Sequence, residues 1–349
     1  MSEADPIPWY RSPIPRETLR ELTTRRTLGP LVHVLGHIAF AVLTAAFALY
    51  SFARLPWPVT VAAVYLHGTF YNFLGMFTGI HELSHSTVFK QKWLNTAFYV
   101  ILGILTWNNI YKFRSSHFMH HQFTTWSGRD GEVVLPEKFR PIDWLFMFTV
   151  TPVSGAGGIP GIVSLVWDTI RYAFGSLKGE WELRLFPESK KTERRQIYRF
   201  ARITLAFHIL SAAWFVWSGH WILLFVVTFG SFIAPWLAVL CALPQHLGLK
   251  GNVPDWRICA RTVLMNPIVR FFYWNMNYHV EHHMFASVPF YNLPRLNAAI
   301  ANDLPRPKAS LPAAWRELVP VIRRQRREPQ YCVVPDLTGL GRSPRGGAA

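Results

Sequence analysis

The chain has 349 residues, of which 50% are hydrophobic and only 16% are charged, whereas about a quarter of the residues of a soluble domain are charged. A net charge of +16 is compatible with nucleic-acid binding, but Lys and Arg concentrate in residues 171–202 and after Arg306, outside the apolar runs. This placement fits the cytosolic bias of basic residues in membrane proteins, so we expect a membrane as partner and no nucleic acid. Three cysteines without CxxC spacing form neither a disulfide framework nor an iron–sulfur site.

The first two apolar runs predict a transmembrane hairpin. Residues 1–29 are a polar leader without the apolar core of a signal peptide, so we expect the first span to act as the insertion signal. The runs cover residues 30–53 and 57–80 and are separated by Arg54-Leu55-Pro56. As helices they reach about 36 Å, enough to cross a hydrocarbon core of about 30 Å. The second run ends directly before His81.

Two further apolar segments are predicted not to span. Residues 93–107 are too short to span. A crossing there would also place His81 and His85 on the opposite side of the membrane from His117, His120 and His121. We therefore expect an interfacial or buried helix. Residues 144–167 are long enough, but prolines and glycines interrupt them. Because such irregular backbone is not tolerated against lipid, we predict an interfacial or a re-entrant excursion. The interrupting residues are Pro152, Gly155, Gly157, Gly158, Pro160 and Gly161.

A second hairpin follows a charged stretch that we expect to be solvated and cytosolic, residues 171–202. Its spans are predicted at residues 200–217 and 221–243, and four crossings return the chain to its starting side. The fold class is therefore an all-α integral membrane protein with four transmembrane helices in two hairpins, interfacial helices and a cytosolic, histidine-rich cap. The membrane domain covers residues 30–304, including a short amphipathic helix at its end, and a basic tail covers residues 305–349.

Eight of the 14 histidines fall into three short boxes. On a helix, spacings of three and four residues place side chains on one face, so each box can direct its imidazoles at one point. Imidazole is the commonest metal ligand near neutral pH. Eight imidazoles exceed one tetrahedral zinc site and suffice for two metal ions that each keep an open position. The boxes are box one (His81, His85), box two (His117, His120, His121) and box three (His279, His282, His283).

The order HxxxH, HxxHH, HxxHH resembles the membrane fatty acid desaturase family over roughly residues 57–302. The flanking residues add to the resemblance, namely His81-Glu-Leu-Ser-His-Ser-Thr-Val-Phe, the run from Thr124 to Asp130-Gly-Glu, and Asn277-Tyr-His-Val-Glu-His-His-Met-Phe. The HxxxH first box is closer to the acyl-lipid and sphingolipid types. The runs Ile7-Pro-Trp-Tyr-Arg and Pro244-Gln-His-Leu-Gly are similar to a bacterial branch with hydrocarbon-oxygenase-like members and the desaturase of dihydrorhizobitoxine.

The resemblance implies a non-haem diiron site that uses O₂ and two electrons to remove hydrogens from an alkyl chain. It implies that the eight box histidines are the ligands, with His246, directly after the fourth span, as a ninth. Box three begins with His279 rather than Gln, and no haem-binding His-Pro-Gly-Gly occurs. Electrons are therefore expected from a separate donor, a ferredoxin or a small haem protein with its reductase. The substrate is expected to be a lipid or related alkyl chain, and the active site is expected on the cytosolic face, at the inner membrane if the protein is bacterial.

Several alternatives remain open at the level of sequence. A hydroxylase or monooxygenase of the alkane or carotenoid type uses the same scaffold, and the bacterial branch allows a small substrate derived from an amino acid. Structural zinc, or a metal transporter with histidines as relay sites, is a further alternative. Carboxylates beside the boxes are expected to orient the ligands, and isolated histidines are expected to pair between helices. These carboxylates are Glu82, Asp130 and Glu281, and the isolated histidines are His33, His37, His67, His208 and His220.

Overall fold

The computed structural model describes residues 6–135, 140–153, 160–338 and 340. Within these ranges all regular structure is helical, and strand pairing is limited to isolated single-residue bridges. In chain order the α-helices of the described residues are α1 (Arg16–Leu22), α2 (Leu28–Arg54), α3 (Trp57–Tyr71), α4 (Gly79–Ser84), α5 (Lys92–Leu105), α6 (Ile110–Phe123), α7 (Pro141–Phe148), α8 (Ile162–Ala173), α9 (Glu180–Leu185), α10 (Lys191–Trp217), α11 (Trp236–Ala242), α12 (Trp256–Cys259), α13 (Pro267–Phe272), α14 (His279–Met284), α15 (Leu293–Ile300) and α16 (Leu311–Gln325).

The chain divides into two compact units. The long-helix unit comprises residues 26–118 and 138–242, and the C-terminal unit comprises residues 1–25, 119–137 and 243–349. Helix α6 contributes to both, since the division falls after Phe118. The all-α prediction is confirmed for the described residues.

Two helices of the long-helix unit are long and apolar enough to cross a membrane. Helices α2 and α10 each have 27 residues, about 40 Å. Their apolar side chains remain largely exposed, for example Leu43 at 67% and Leu210 at 70%, as expected of surfaces that face lipid. Helix α10 begins at Lys191, nine residues before the predicted span, because lysine, arginine and glutamate favour helices as much as leucine does.

The other two predicted spans are not continuous membrane-length helices in the structure. Helix α3 ends at Tyr71 and passes into a 3₁₀ turn, Asn72–Leu74. There the Asn72 side-chain amide donates hydrogen bonds of 2.7 Å to the Gly68 carbonyl and 2.9 Å to the Ile233 carbonyl. The fourth run is broken into a π-helical segment, a 3₁₀ turn and the short helix α11. Four transmembrane helices are therefore not confirmed.

The interrupted segment at residues 144–167 pairs with the break in the fourth run. Helix α7 ends at Phe148, and Thr149 to Thr151 exchange backbone hydrogen bonds with Phe232 to Ala234. Gly155, Gly157 and Gly158 lie outside the described residues, and the chain resumes as helix α8. Nonhelical backbone in a membrane has to be satisfied by protein, and each of these two irregular segments satisfies the other.

An apolar cavity of about 570 Å³ lies beside this pairing in the long-helix unit. Its walls come from the end of α2, the first half of α3 and the residues around the break, including Tyr65, Val150 and Trp221. None of the nine candidate histidines lines it. The cavity is therefore separate from the histidine clusters.

In the C-terminal unit, helix α14 carries box three and packs against α12 and α15. Helix α15 and its flanking 3₁₀ turns correspond to the predicted amphipathic helix near residues 291–303. Helix α16 lies in the stretch predicted as a basic tail, and its Leu318 and Val321 are buried. Residues 341–349 of that tail lie outside the described residues.

Candidate metal centre

Each histidine box adjoins a residue in the left-handed region of φ. Ser86 (φ 57°) follows box one, Thr125 (φ 58°) follows box two, and Asn275 (φ 57°) precedes box three. Residues other than glycine rarely adopt this backbone conformation, because it costs about 1–3 kcal/mol. Where it occurs, it is often at a functional site. Ser86 directly follows His85, whereas Thr125 and Asn275 each lie four residues from the nearest box histidine, so these turns flank the boxes.

In the long-helix unit the structure brings His81, His85 and His117 together. Box one lies at helix α4, whose C-cap is His85, and His117 lies on α6. The Nε2 atoms of His85 and His117 are 3.0 Å apart, and the ring centroids of His81 and His117 are 4.1 Å apart. One ring nitrogen from each of the three lies within 4.8 Å of those of the other two.

In the C-terminal unit four buried histidines converge, namely His120, His246, His279 and His283. The Nε2 atom of His279 lies 2.8 Å from that of His246 and 3.0 Å from that of His283. His279 and His283 are one turn apart on α14, so their side chains share a face. His246, predicted as a ninth ligand from its position after the fourth run, lies in this group.

In three of these histidines the Nδ1 atom has a hydrogen-bond partner. Nδ1 of His120 lies 2.8 Å from the Asp130 carboxylate, and Nδ1 of His246 lies 2.8 Å from the Cys259 carbonyl. A carboxylate or carbonyl only accepts, so both Nδ1 atoms carry a proton, and in the neutral imidazole each Nε2 presents a lone pair. Nδ1 of His283 lies 3.2 Å from the hydroxyl of Thr124.

The donor set fits a metal ion. Nitrogens bound to one ion at about 2.1 Å lie about 3.0 Å apart when the angle at the metal is 90°. The Nε2 pairs in both units, at 2.8 to 3.0 Å, have this spacing. At this distance two imidazole nitrogens either share a proton as N–H···N or bind one cation through both lone pairs. Each histidine group is therefore suited to bind a metal ion.

His121 and His282 form a further pair in the C-terminal unit, with ring centroids 4.9 Å apart and ring nitrogens within 4.8 Å. His121 also stacks on His283 at 4.3 Å. All nine histidines predicted as ligands thus lie in histidine groups. Their ligand roles remain predictions.

Burial favours the neutral form of His246 and His283, which is the form that binds metals. It lowers the pKa of His246 to about 3. Burial and the neighbouring imidazole of His121 lower the pKa of His283 well below its ordinary value. For His120, burial also opposes the charged form, but the Asp130 carboxylate outweighs it and raises the pKa.

The three carboxylates that were expected to orient ligands differ in their contacts. Asp130 is 5% exposed and accepts from His120, which confirms the predicted contact. Glu82 lies 3.4 Å from Nδ1 of His81, and burial raises its pKa to about 8. Glu281 accepts from Thr262 at 2.6 Å and from Asn297, and so ties α14 to α15.

Three of the isolated histidines bridge helices or segments within the long-helix unit, as expected. Nε2 of His37 lies 3.2 Å from the Phe70 carbonyl, and that of His208 lies 2.9 Å from the Ile104 carbonyl. His67 contacts a hydroxyl through Nδ1 and a carbonyl through Nε2, both at 2.8 Å. These contacts give the three histidines a structural role.

A helical chain with two membrane-length apolar helices and buried, converging imidazoles has the features of a membrane protein whose histidines could bind metal ions. The family model described as fatty acid desaturase matches residues 55–315. The chain therefore belongs to the fatty acid desaturase family, and the predicted resemblance is confirmed at the level of the family. The bacterial branch remains a prediction.

A curated relative is the Delta(5) fatty acid desaturase fat-4 of Caenorhabditis elegans, which is 25% identical over 304 residues. The similarity covers 76% of this chain and 62% of the relative, so the chain spans about three fifths of that protein's length. Family membership and the two apolar helices together indicate a membrane protein.

Proposed function

We propose that the protein is an O₂-dependent, non-haem diiron desaturase that introduces a C=C bond into a fatty acyl or related alkyl chain. The observation that carries the proposal is the group of four buried histidines whose Nε2 atoms converge while acceptors hold protons on the outer nitrogens. When bound, the iron ions supply the oxidising chemistry that an unactivated C–H bond requires and that amino-acid side chains lack.

The chain's own residues would hold the metal in two groups. His120, His246, His279 and His283 hold one ion, and His81, His85 and His117 contribute to a second. We assign His121 and His282 to the centre on their place in the boxes. The Asp130 carboxylate and the Cys259 carbonyl keep protons on Nδ1, so that Nε2 of His120 and His246 is available as a ligand.

The substrate class, donor and topology belong to the same proposal. A chain of this family with exposed apolar helices is suited to a substrate that resides in the membrane, and the name of the nematode relative supports a fatty acyl chain. We propose a multi-pass protein with its histidines on the cytosolic face, at the inner membrane if the source is bacterial. Electrons come from a separate ferredoxin or small haem protein with its reductase.

Metal analysis of the purified chain tests the centre. From iron-replete cells we expect about two iron ions per chain. His246→Ala and His85→Ala should each lose about one, while His220→Ala, at an exposed histidine next to Ser218, should lose none. Two tightly bound zinc ions and no iron in the unmodified chain would refute the oxygenase proposal.

Product analysis tests the reaction. Lipids and small metabolites from cells with and without the chain are compared by mass spectrometry. A substrate that loses two hydrogens supports desaturation, whereas one that gains an oxygen atom shows a hydroxylase on the same scaffold. A change confined to a small amino-acid-derived metabolite would replace the acyl substrate. His279→Ala, His117→Ala and His81→Ala should abolish either product while the fold persists.

A further inference from the structure

The Thr124 hydroxyl sits among three polar groups of the C-terminal unit. Its Oγ1 lies 2.8 Å from the His120 carbonyl, 3.2 Å from Nδ1 of His283 and 3.2 Å from Nε1 of Trp256. A hydroxyl has one proton and two lone pairs. The carbonyl takes the proton, so the lone pairs accept from Trp256 and from His283. His283 is thereby fixed with its proton on Nδ1 and its lone pair on Nε2.

Trp256 donates a hydrogen bond to this hydroxyl. Its side chain is 3% exposed, and indole Nε1 is a donor only, so it occupies one lone pair of Thr124 permanently. The ring centroid of Trp256 lies 6.3 Å from that of His283. Trp256 therefore limits the rotation of the hydroxyl and excludes water from this side of the histidine group.

Trp256 is in turn covered by the N-terminal strap, which we define as residues 6–15. Trp9 of the strap stacks on Trp256 with centroids 4.3 Å apart and planes 6° apart. The strap is anchored by a 2.9 Å bond from Trp9 Nε1 to the Gln122 carbonyl and a 3.1 Å contact from the Ser12 amide to the Met284 sulfur. These anchors lie in the residues that follow box two and at the end of box three.

We infer that Trp9, Trp256 and Thr124 form a positioning chain that sets the tautomer and orientation of His283 from the protein surface. We assign none of the three as a metal ligand. The inference rests on the proposed function, since it assigns a role toward the bound metal. It also assigns the N-terminal strap to the metal centre, although about 270 residues separate it from box three along the chain.

The test uses Co²⁺ as a spectroscopic probe bound to the full-length protein in detergent. Titration measures the affinity for Co²⁺, and visible absorption reports the ligand field of the bound ion. Thr124→Val removes the hydroxyl at nearly constant shape, and Trp256→Phe removes the N–H while keeping an aromatic ring against Trp9. Both should weaken one of the two Co²⁺ sites ten- to a hundred-fold and shift its absorption. Trp9→Ala should do so more weakly, and Thr124→Ser should restore the spectrum.

Trp107→Phe is the matched control. Trp107 is buried, and its Nε1 donates a 2.7 Å bond to the Thr228 carbonyl in the long-helix unit, so the variant loses a comparable bond that involves none of the four histidines. If Trp107→Phe weakens Co²⁺ as much as Trp256→Phe, the effect is general destabilisation and the positioning role is wrong. Unchanged affinity and spectra in Thr124→Val and Trp256→Phe would also overturn it. An unmodified chain that binds no Co²⁺ or iron would instead refute the proposed function, and this inference with it.

Discussion

Asp130 offers a direct test of the metal centre, because a single atom replacement changes what its carboxylate can accept. Oδ2 accepts from Nδ1 of His120 and from the Thr125 amide, both at 2.8 Å. Oδ1 accepts from the amides of Glu132 and Val133 at 2.9 and 3.2 Å. All four neighbours are donors, so the ionised carboxylate satisfies all of them. Despite burial, these donors hold the pKa of Asp130 below its ordinary value.

Asp130→Asn keeps the shape and replaces one oxygen by an NH₂ group. The charge-assisted bond to His120, about 1.5–3 kcal/mol, becomes at best a neutral one of about 0.5–1.5 kcal/mol. Because the bond is present with and without metal, affinity falls by the part of this loss that is larger in the metal-bound state, where the ion polarises the imidazole. If the NH₂ group faces His120 instead, the imidazole accepts through Nδ1 and moves its proton to Nε2, the atom required as a ligand. Metal binding must then reverse that tautomer at additional cost.

The expected result is a ten- to hundred-fold loss of affinity at one metal site, about 1.4–2.8 kcal/mol. Competition with a chelator of known affinity, followed by metal analysis, measures it. Asp143→Asn is the control, since Asp143 is equally buried but pairs with Arg140 in the long-helix unit. The reasoning is refuted if Asp130→Asn retains both ions with unchanged affinity while its thermal stability matches that of the control.

Three further predictions concern stability and the backbone. Burial opposes ionisation of Glu182, but Lys112 and neighbouring hydrogen bonds lower its pKa to about 2. The stabilising contribution of ionised Glu182 is therefore complete above about pH 4.5 and is lost as the pH falls toward 2. The difference in Tm between the natural chain and Glu182→Gln should shrink as the pH falls through that window. A difference in Tm that stays constant would contradict this. Gly68→Ala should lower the free energy of unfolding by about 1–3 kcal/mol, because the added Cβ would overlap the Ile233 carbonyl. Gly29→Ala is the control, since its Cβ would meet open space. Equal Tm values for the two variants would contradict the prediction. Cys259→Ala should leave metal affinity unchanged, since His246 contacts the backbone carbonyl of residue 259, and a loss in chelator competition would show that the thiol matters.

The histidine boxes and the first apolar helix could be predicted from sequence because their signals are local. Spacings of three and four residues fix a shared helical face regardless of tertiary context, and helix α14 places His279 and His283 as that spacing requires. The run at residues 30–53 is apolar throughout and becomes helix α2 with its ends moved by only one or two residues.

The fourth run could not be predicted, because hydropathy does not report where a helix breaks. The sequence from Trp221 is as apolar as a span, yet Ala234 adopts a φ of 47° and the backbone around it bonds to Thr149 and Thr151. That pairing is between segments more than 80 residues apart. The side-chain amide of Asn72, which also bonds to this break, is equally invisible in a hydropathy pattern.

The groups that orient the predicted ligands could not be identified from the sequence either. The histidine boxes can be recognised in a sequence, but the group that fixes the proton of each imidazole cannot always be. For His246 it is a backbone carbonyl, which every residue possesses, and for His283 it is a threonine hydroxyl whose own geometry depends on Trp256. Sequence patterns therefore find the atoms that would bind the metal, whereas the protonation state of those atoms is determined by contacts that only the folded chain creates.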